Sequence, residues 1–146
     1  IVQLSKAGKH VYLPIVLRKR RILRFAESSP RSIVKLNRYG ILEPVVAARS
    51  SKQARQLDVL MVPLVAFDAT CNRLGMGGGY YDRTLSYRLR SDHWQRPHLL
   101  GIAHECQKIV SPLPVRPWDV PMDTILTERC VYRRFYTKIN PKDDRV

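Results

Sequence analysis

The sequence predicts an α/β fold built on a mostly parallel sheet, and four observations predict it. Residues 58–67 (DVLMVPLVAF) are the most apolar stretch of the chain, and unbroken apolar character is expected of a central strand buried on both faces. A glycine-rich segment, residues 73–79 (RLGMGGG), comes next. In residues 80–90, Tyr81, Leu85 and Leu89 then fall at i, i+4 and i+8, a helical stripe opposite an arginine-rich outer face. Residues 98–103 (HLLGIA) read as a second short buried strand. Strand, glycine loop, helix and strand in that order form a βαβ unit.

The other elements follow from local pattern. Residues 10–17 (HVYLPIVL) and 22–26 are β-rich apolar runs flanking Arg18, Lys19, Arg20 and Arg21, so a hairpin with a charged tip is expected. Residues 28–40 are polar and expected to be irregular, and 40–44 form a short extended piece closed by Pro44. Residues 50–57 read as a polar connection or a short helix. Pro63 cannot donate to a ladder, so the central strand is expected to end near it. Residues 105–110 suggest a helical turn. Residues 112–121 hold four prolines and must be loop, and 123–127 and 130–136 read as strands.

The 146 residues suit one domain. No apolar run reaches the roughly 18 residues that a membrane-spanning helix needs. Lys6 and Lys9 follow the short apolar start instead of preceding a long apolar run, so there is no secretory pattern. The first residue is Ile1, not Met, which is expected of a fragment or a processed chain. Cys71, Cys106 and Cys130 are odd in number and widely spaced, which points to a reducing, cytoplasmic setting. His104 beside Cys106 allows a Cys–His nucleophilic pair, but a small buried thiol beside a strand-end histidine is the commoner arrangement.

The net charge is +14, unevenly spread. Residues 1–57 carry 13 Lys and Arg against only Glu27 and Glu43, while residues 58–146 carry 13 against 10 acidic residues. Such a basic excess can bind nucleic acid, form a solvated hairpin tip, or funnel a small polyanion. Interleaved aromatics, zinc spacing and a recognition-helix pattern are lacking, so charge alone supports a non-catalytic nucleic-acid-binding module.

The chemistry centres on Gly75, Gly77, Gly78 and Gly79. Bare backbone there lets a polyanion reach the N–H groups, and the following helix adds its positive end. A phosphate site and a simple tight turn both remain open from the loop alone. The P-loop ending Gly-Lys-Ser/Thr is absent, since this loop ends Gly79-Tyr80-Tyr81. The acidic residue of a dinucleotide fingerprint is also missing from residues 95–104. Asp82, one turn into the helix, is either a dipole-stabilised carboxylate or a Mg²⁺ ligand. Asp119, in Pro117-Trp118-Asp119, is either a turn residue or a second ligand. Arg73 and Arg83 flank the loop, where an arginine can clamp phosphoryl oxygens or lie on the surface.

Several segments together carry a resemblance. They are Pro63-Leu-Val-Ala-Phe67-Asp68, Asn72-Arg-Leu-Gly-Met-Gly-Gly-Gly-Tyr-Tyr-Asp-Arg83, Leu100-Gly-Ile-Ala103, Gln107 before Leu113-Pro114, Trp118-Asp119 and Asp123-Thr-Ile-Leu-Thr127. With Gly8-Lys9 and Gly40-Ile-Leu-Glu-Pro44 upstream, the chain resembles the 5-formyltetrahydrofolate cyclo-ligases, or 5,10-methenyltetrahydrofolate synthetases, over nearly its whole length. The resemblance implies a three-layer, Rossmann-like α/β fold around a mostly parallel sheet. It implies ATP- and Mg²⁺-dependent cyclisation of 5-formyltetrahydrofolate to 5,10-methenyltetrahydrofolate, with release of ADP and phosphate through an iminium phosphate.

The same resemblance assigns Arg73, Gly75, Gly77, Gly78, Gly79 and Tyr81 to ATP, and Met76, Gly77, Gly78, Gly79 and Tyr80 to the folate. It assigns Asp82 and Asp119 to Mg²⁺, with Arg73 and Asp82 as the catalytic residues. It also implies a monomer whose partners are ATP and a reduced, optionally polyglutamated folate, with no membrane. Some members carry basic residues where this chain has Met76 and Gly78, and the Met-Gly-Gly-Gly form resembles the enterobacterial branch. Members normally begin with a basic helix that reaches ATP, then a strand and a loop bearing an acidic folate contact. This chain is expected to be a single domain, residues 1–146, lacking that helix and first strand, which would leave both sites incomplete. A member that binds ATP or folate without turnover is the remaining alternative.

Overall fold

The computed structural model describes residues 2–29, 32–37, 40–46, 50–90 and 96–135. A short helix, α1 (Val2–Lys6), leads into the hairpin of β1 (Tyr12–Leu17) and β2 (Ile22–Glu27). These strands pair antiparallel from Tyr12↔Glu27 to Leu17↔Ile22, and a 3-10 turn, Arg18–Arg20, makes the charged tip that was expected. Arg21 closes the tip with φ 51°, in the left-handed region. Leu23, Phe25 and Ala26 of β2 are buried.

β3 (Val34–Leu36) and β4 (Leu42–Pro44) pair antiparallel. Residues 28–40 were expected to be irregular, and β3 corrects that. Val34, Lys35 and Leu36 are all exposed, so no buried-face alternation marks this strand, and its order comes from pairing with β4. Residues 50–57 contain a 3-10 turn, Ala54–Gln56.

The main sheet contains β5 (Val59–Pro63), β8 (His98–Ile102), β9 (Thr124–Leu126) and β10 (Val131–Arg133), in the order β10-β9-β8-β5. β5 with β8 and β8 with β9 are parallel, and β9 with β10 is antiparallel. The expected α/β class and mostly parallel sheet are both present. β5 ends at Pro63 as anticipated, but it is not buried on both faces. Leu60 and Val62 point into the core, while Val59 and Met61 are 52% and 55% exposed. Among the described residues β5 is an edge strand packed on one face only. Ala66–Phe67 does not continue it: these residues form β6, which pairs with β7 (Arg73–Leu74) in a small hairpin.

The crossover from β5 to β8 runs through α2 (Tyr80–Leu85). The helix expected over residues 80–90 changes at Ser86 to a 3-10 turn, Ser86–Leu89. The tighter winding rotates the later positions off the 3.6-residue stripe. Leu85 is fully buried, whereas Leu89 is 44% exposed. Arg88, expected on an outer face, turns inward instead. Its Nη1 and Nη2 donate to Asp123 at 2.9 and 2.7 Å, and Nη1 also reaches the Pro97 carbonyl at 2.5 Å.

The core gathers Phe25, Val62, Phe67, Leu85, Leu99, Met122 and Ile125. Gly101 sits inside it: a Cβ there would lie 2.9 Å from Ile125 Cγ1 and 3.0 Å from Leu64 Cδ2. Among the described residues no helix is long and apolar enough to cross a membrane. His104 and Cys106 form no catalytic couple: Cys106 is exposed, and His104 Nδ1 lies 3.6 Å from Glu128. The expectation of a buried thiol at Cys106 is corrected as well, since that residue is exposed; the buried thiol is Cys71, which burial pushes above its usual pKa.

Candidate functional site

A cavity of about 980 Å³ opens beyond the carboxyl end of β5 and is lined by the whole glycine loop. Ligands bind at this edge in open α/β sheets. The loop reaches it through the β6–β7 hairpin, a detour not anticipated from sequence. Gly77 and Gly79 have φ +77° and +60°. A side chain at Gly78 would lie 3.0 Å from the Tyr80 ring, and one at Gly75 would lie 3.2 Å from Arg73 Nη1. Glycine is therefore needed both for the turn and to keep side chains out of the space over it. Met76, at the crown, is 95% exposed.

Arg73 leaves β7 beneath the loop with its side chain only 5% exposed. Nη2 donates to Asp82 Oδ1 at 2.7 Å, and the guanidinium sits 5.8 Å from the Tyr81 ring centroid. Its Nε is buried with no hydrogen-bond partner. An unsatisfied buried donor costs about 1–3 kcal/mol, so this N–H favours an acceptor arriving from the cavity. Burial pushes the Tyr81 hydroxyl above its usual pKa, with Arg73 opposing, so it stays protonated near neutrality.

Asp82 Oδ1 also accepts the Val120 N–H at 3.2 Å. That bond fastens α2 to the proline-rich loop next to Asp119, and both carboxylates line the cavity. Asp119 Oδ2 accepts the Arg116 N–H at 2.9 Å, a turn-closing bond. Asp119 is thus a turn residue, and its carboxylate also lines the cavity. Two hard oxygen donors lining one cavity suit Mg²⁺, which takes one or two carboxylates plus phosphates and water. No group of three or more His, Cys, Asp or Glu side chains is assembled for a metal among the described residues.

Arg83 braces the loop from the other side. Nη2 donates to the Gly78 carbonyl, Nε to the Arg21 carbonyl at 2.9 Å, and the guanidinium lies 5.6 Å from the Tyr80 ring centroid. The expected dipole contribution is smaller than an eleven-residue helix would give, because α2 is six residues long. Positive charge at the loop comes chiefly from Arg73 and Arg83.

Two supporting residues escaped the sequence reading of roles. Gln107 Nε2 donates to the Leu64 and Val65 carbonyls, both at 2.9 Å, fixing the chain just beyond β5. Asp68, 2% exposed, accepts bonds from Thr70, Asn72 and the Leu113 N–H at 2.7–3.0 Å. The spacing Asp68, Thr70, Asn72 was the available signal, since Asx turns use such offsets. Burial pushes the Asp68 carboxyl up, but the bonds from Asn72, Leu113 and Thr70 outweigh it and hold the pKa below its usual value. A depressed folded-state pKa contributes stability above the unfolded value, lost as pH falls through the folded one. Asp68→Asn is therefore expected to cost about 1–3 kcal/mol at neutral pH. It should also flatten the loss of stability below about pH 4. Urea unfolding across that range measures both.

Comparison with known proteins bears on this site. The 5-formyltetrahydrofolate cyclo-ligase family model matches residues 1–128. The Escherichia coli K12 5-formyltetrahydrofolate cyclo-ligase is 43% identical over 135 residues, covering 90% of this chain and 70% of that protein. The Haemophilus influenzae cyclo-ligase is 40% identical over 129 residues, covering 86% and 65% respectively. Among solved structures, the Aquifex aeolicus 5,10-methenyltetrahydrofolate synthetase superposes with TM-score 0.67 at 31% identity. The match covers 89% of this chain and 64% of that one. The Mycoplasma pneumoniae synthetase gives TM-score 0.56 at 25% identity, covering 84% and 58%.

Proposed function

Since the chain belongs to the 5-formyltetrahydrofolate cyclo-ligase family, we propose that it closes 5-formyltetrahydrofolate into 5,10-methenyltetrahydrofolate with ATP and Mg²⁺. The observation that carries this reading is the buried, partnerless Nε of Arg73, set beside Asp82 in the glycine-lined cavity.

A formamide oxygen is a poor leaving group. In the proposed reaction it attacks the γ-phosphorus of ATP, the new O–P bond replaces the bond to ADP, and an iminium phosphate results. The neighbouring folate nitrogen then attacks the iminium carbon. The C–O bond breaks, phosphate departs, and that nitrogen gives up its proton to water. No protein nucleophile is required, so catalysis rests on positioning and charge neutralisation.

Each named residue has a duty in that scheme. Gly75, Gly77, Gly78 and Gly79 keep backbone N–H groups accessible to the phosphates, and Arg73 Nε supplies a charged donor from below. Where other members carry basic residues at the positions of Met76 and Gly78, backbone N–H groups or a residue elsewhere substitute here. The Tyr81 ring packs under the Arg73 guanidinium, and Met76 and Tyr80 border the folate with the three glycines between them. Asp82 and Asp119 hold Mg²⁺, which when bound neutralises phosphate charge. Phosphate release by the purified full chain with ATP and Mg²⁺ tests the reading. Release should depend on added 5-formyltetrahydrofolate, and equal release without the folate contradicts it.

A further inference from the structure

The glycine loop carries no basic side chain of its own from Gly75 to Gly79. Its cavity is nevertheless lined by four arginines, Arg73, Arg83, Arg90 and Arg116. We propose that Arg116 is the movable one of the four and a further catalytic residue. When ATP binds, it leaves its resting place on Trp118 and closes on the γ-phosphoryl group. The inference rests on the function proposed above and assigns a residue to which that scheme gives no duty.

The other three arginines are placed differently. Arg73 is buried and paired with Asp82 at 2.7 Å. Arg83 donates to the Arg21 and Gly78 carbonyls and so holds the loop. Arg90 caps the Ser86–Leu89 turn. It lies about 14 Å beyond Asp82 along the crossover, at 1.5 Å per α-helical and 2.0 Å per 3-10 residue. Arg116 is exposed, and among the described residues it has no acidic partner within salt-bridge distance. Its guanidinium rests 5.6 Å from the Trp118 ring centroid. A cation on an exposed ring is held weakly, and phosphate oxygens offer it a stronger, bidentate partner.

The backbone beneath Arg116 is fixed. Its N–H donates to Asp119 Oδ2 at 2.9 Å, and the Asp119 N–H donates to the Arg116 carbonyl at 3.0 Å. Pro114 and Pro117 restrict the chain on either side. The Val120 N–H donates to Asp82, which anchors the turn to α2. Arg116 is thus braced against the two carboxylates proposed to hold the metal of MgATP, and all three line the cavity with the glycine loop. Only the side chain has to be ordered when it closes, which keeps the entropic cost low.

The transfer step calls for charge at that place. The formyl oxygen donates an electron pair to the γ-phosphorus, and the bridging oxygen leaves with ADP, taking the electron pair of the broken bond. Negative charge spreads meanwhile over the three peripheral oxygens of the γ-phosphoryl group. Arg116 neutralises it from the proline-rich loop, and its guanidinium stays protonated throughout.

The test is Arg116→Ala in the purified full chain, with two readouts. The kcat for methenyl product should fall about a hundredfold or more, while the KM for 5-formyltetrahydrofolate stays within about twofold of wild type. A kcat within about threefold of wild type, or a change confined to the folate KM, overturns the proposal. The second readout is the emission of Trp118, with Trp94→Phe leaving it as the only tryptophan. MgATP should change that emission as the guanidinium leaves the indole, MgADP should not, and R116A should abolish the response. An equal response to MgADP, a response that persists in R116A, or no response at all overturns the proposal. If the wild-type chain forms no methenyl product, the functional reading fails separately and the emission of Trp118 decides the role of Arg116.

Discussion

Asp82→Asn is expected to lower kcat by about a hundredfold or more, on the scale of removing one charged group that acts on the transition state. The substitution is nearly isosteric. Oδ1 can still accept the Val120 N–H, so the tie between α2 and the proline-rich loop survives. What disappears is the negative charge that pairs with Arg73 across 2.7 Å and that is proposed to hold Mg²⁺. Activity should therefore require more Mg²⁺ for half-saturation, and thermal unfolding should also move down, because the buried Arg73 guanidinium loses its counter-charge. An unchanged kcat at limiting Mg²⁺ would remove Asp82 from the metal site.

Arg88→Ala carries the largest expected stability effect. Arg88 and Asp123 are 8% and 9% exposed, joined by two parallel bonds, and Asp123 also accepts the Leu99 N–H at 2.7 Å. The pair fastens the end of the crossover to β8 and to the residue preceding β9. Removing the arginine takes away the bidentate counter-charge of a buried carboxylate, a change worth about 3–5 kcal/mol. Urea unfolding should show it, and R88A/D123A should cost less than the sum of the single changes because the uncompensated charge is gone. A loss below about 1 kcal/mol for Arg88→Ala, the scale of an exposed pair, would contradict the structural role.

Features that depend on nearby residues could be read from the chain. The β1–β2 hairpin was legible because two apolar runs flank four consecutive basic residues, and the chain turns where its charges cannot be buried. The glycine loop was legible as a bare stretch ahead of a helical stripe. Its assignment to ATP and folate came from the wider resemblance and not from the loop. Features set by distant partners were hidden. Arg88 reads as an outward-facing helical residue until Asp123, 35 positions away, is placed beside it. The exposed face of β5 could not be foreseen from unbroken hydrophobicity, because burial depends on what covers the other face. The orphaned Nε of Arg73 is likewise invisible in sequence, since it depends on where Asp82 and the loop leave the guanidinium. Asp68 stood in plain view inside the matching segment, but only the fold brings Leu113 to it.

In the proposed function the glycine-lined cavity couples ATP cleavage to closure of the folate ring. The most direct measurement is the growth of 5,10-methenyltetrahydrofolate absorbance when the purified full chain meets 5-formyltetrahydrofolate, ATP and Mg²⁺. One methenyl product should form per ADP released, with no signal when ATP is omitted. Folded protein that binds both substrates yet forms no methenyl product, or forms it without consuming ATP, would contradict the account.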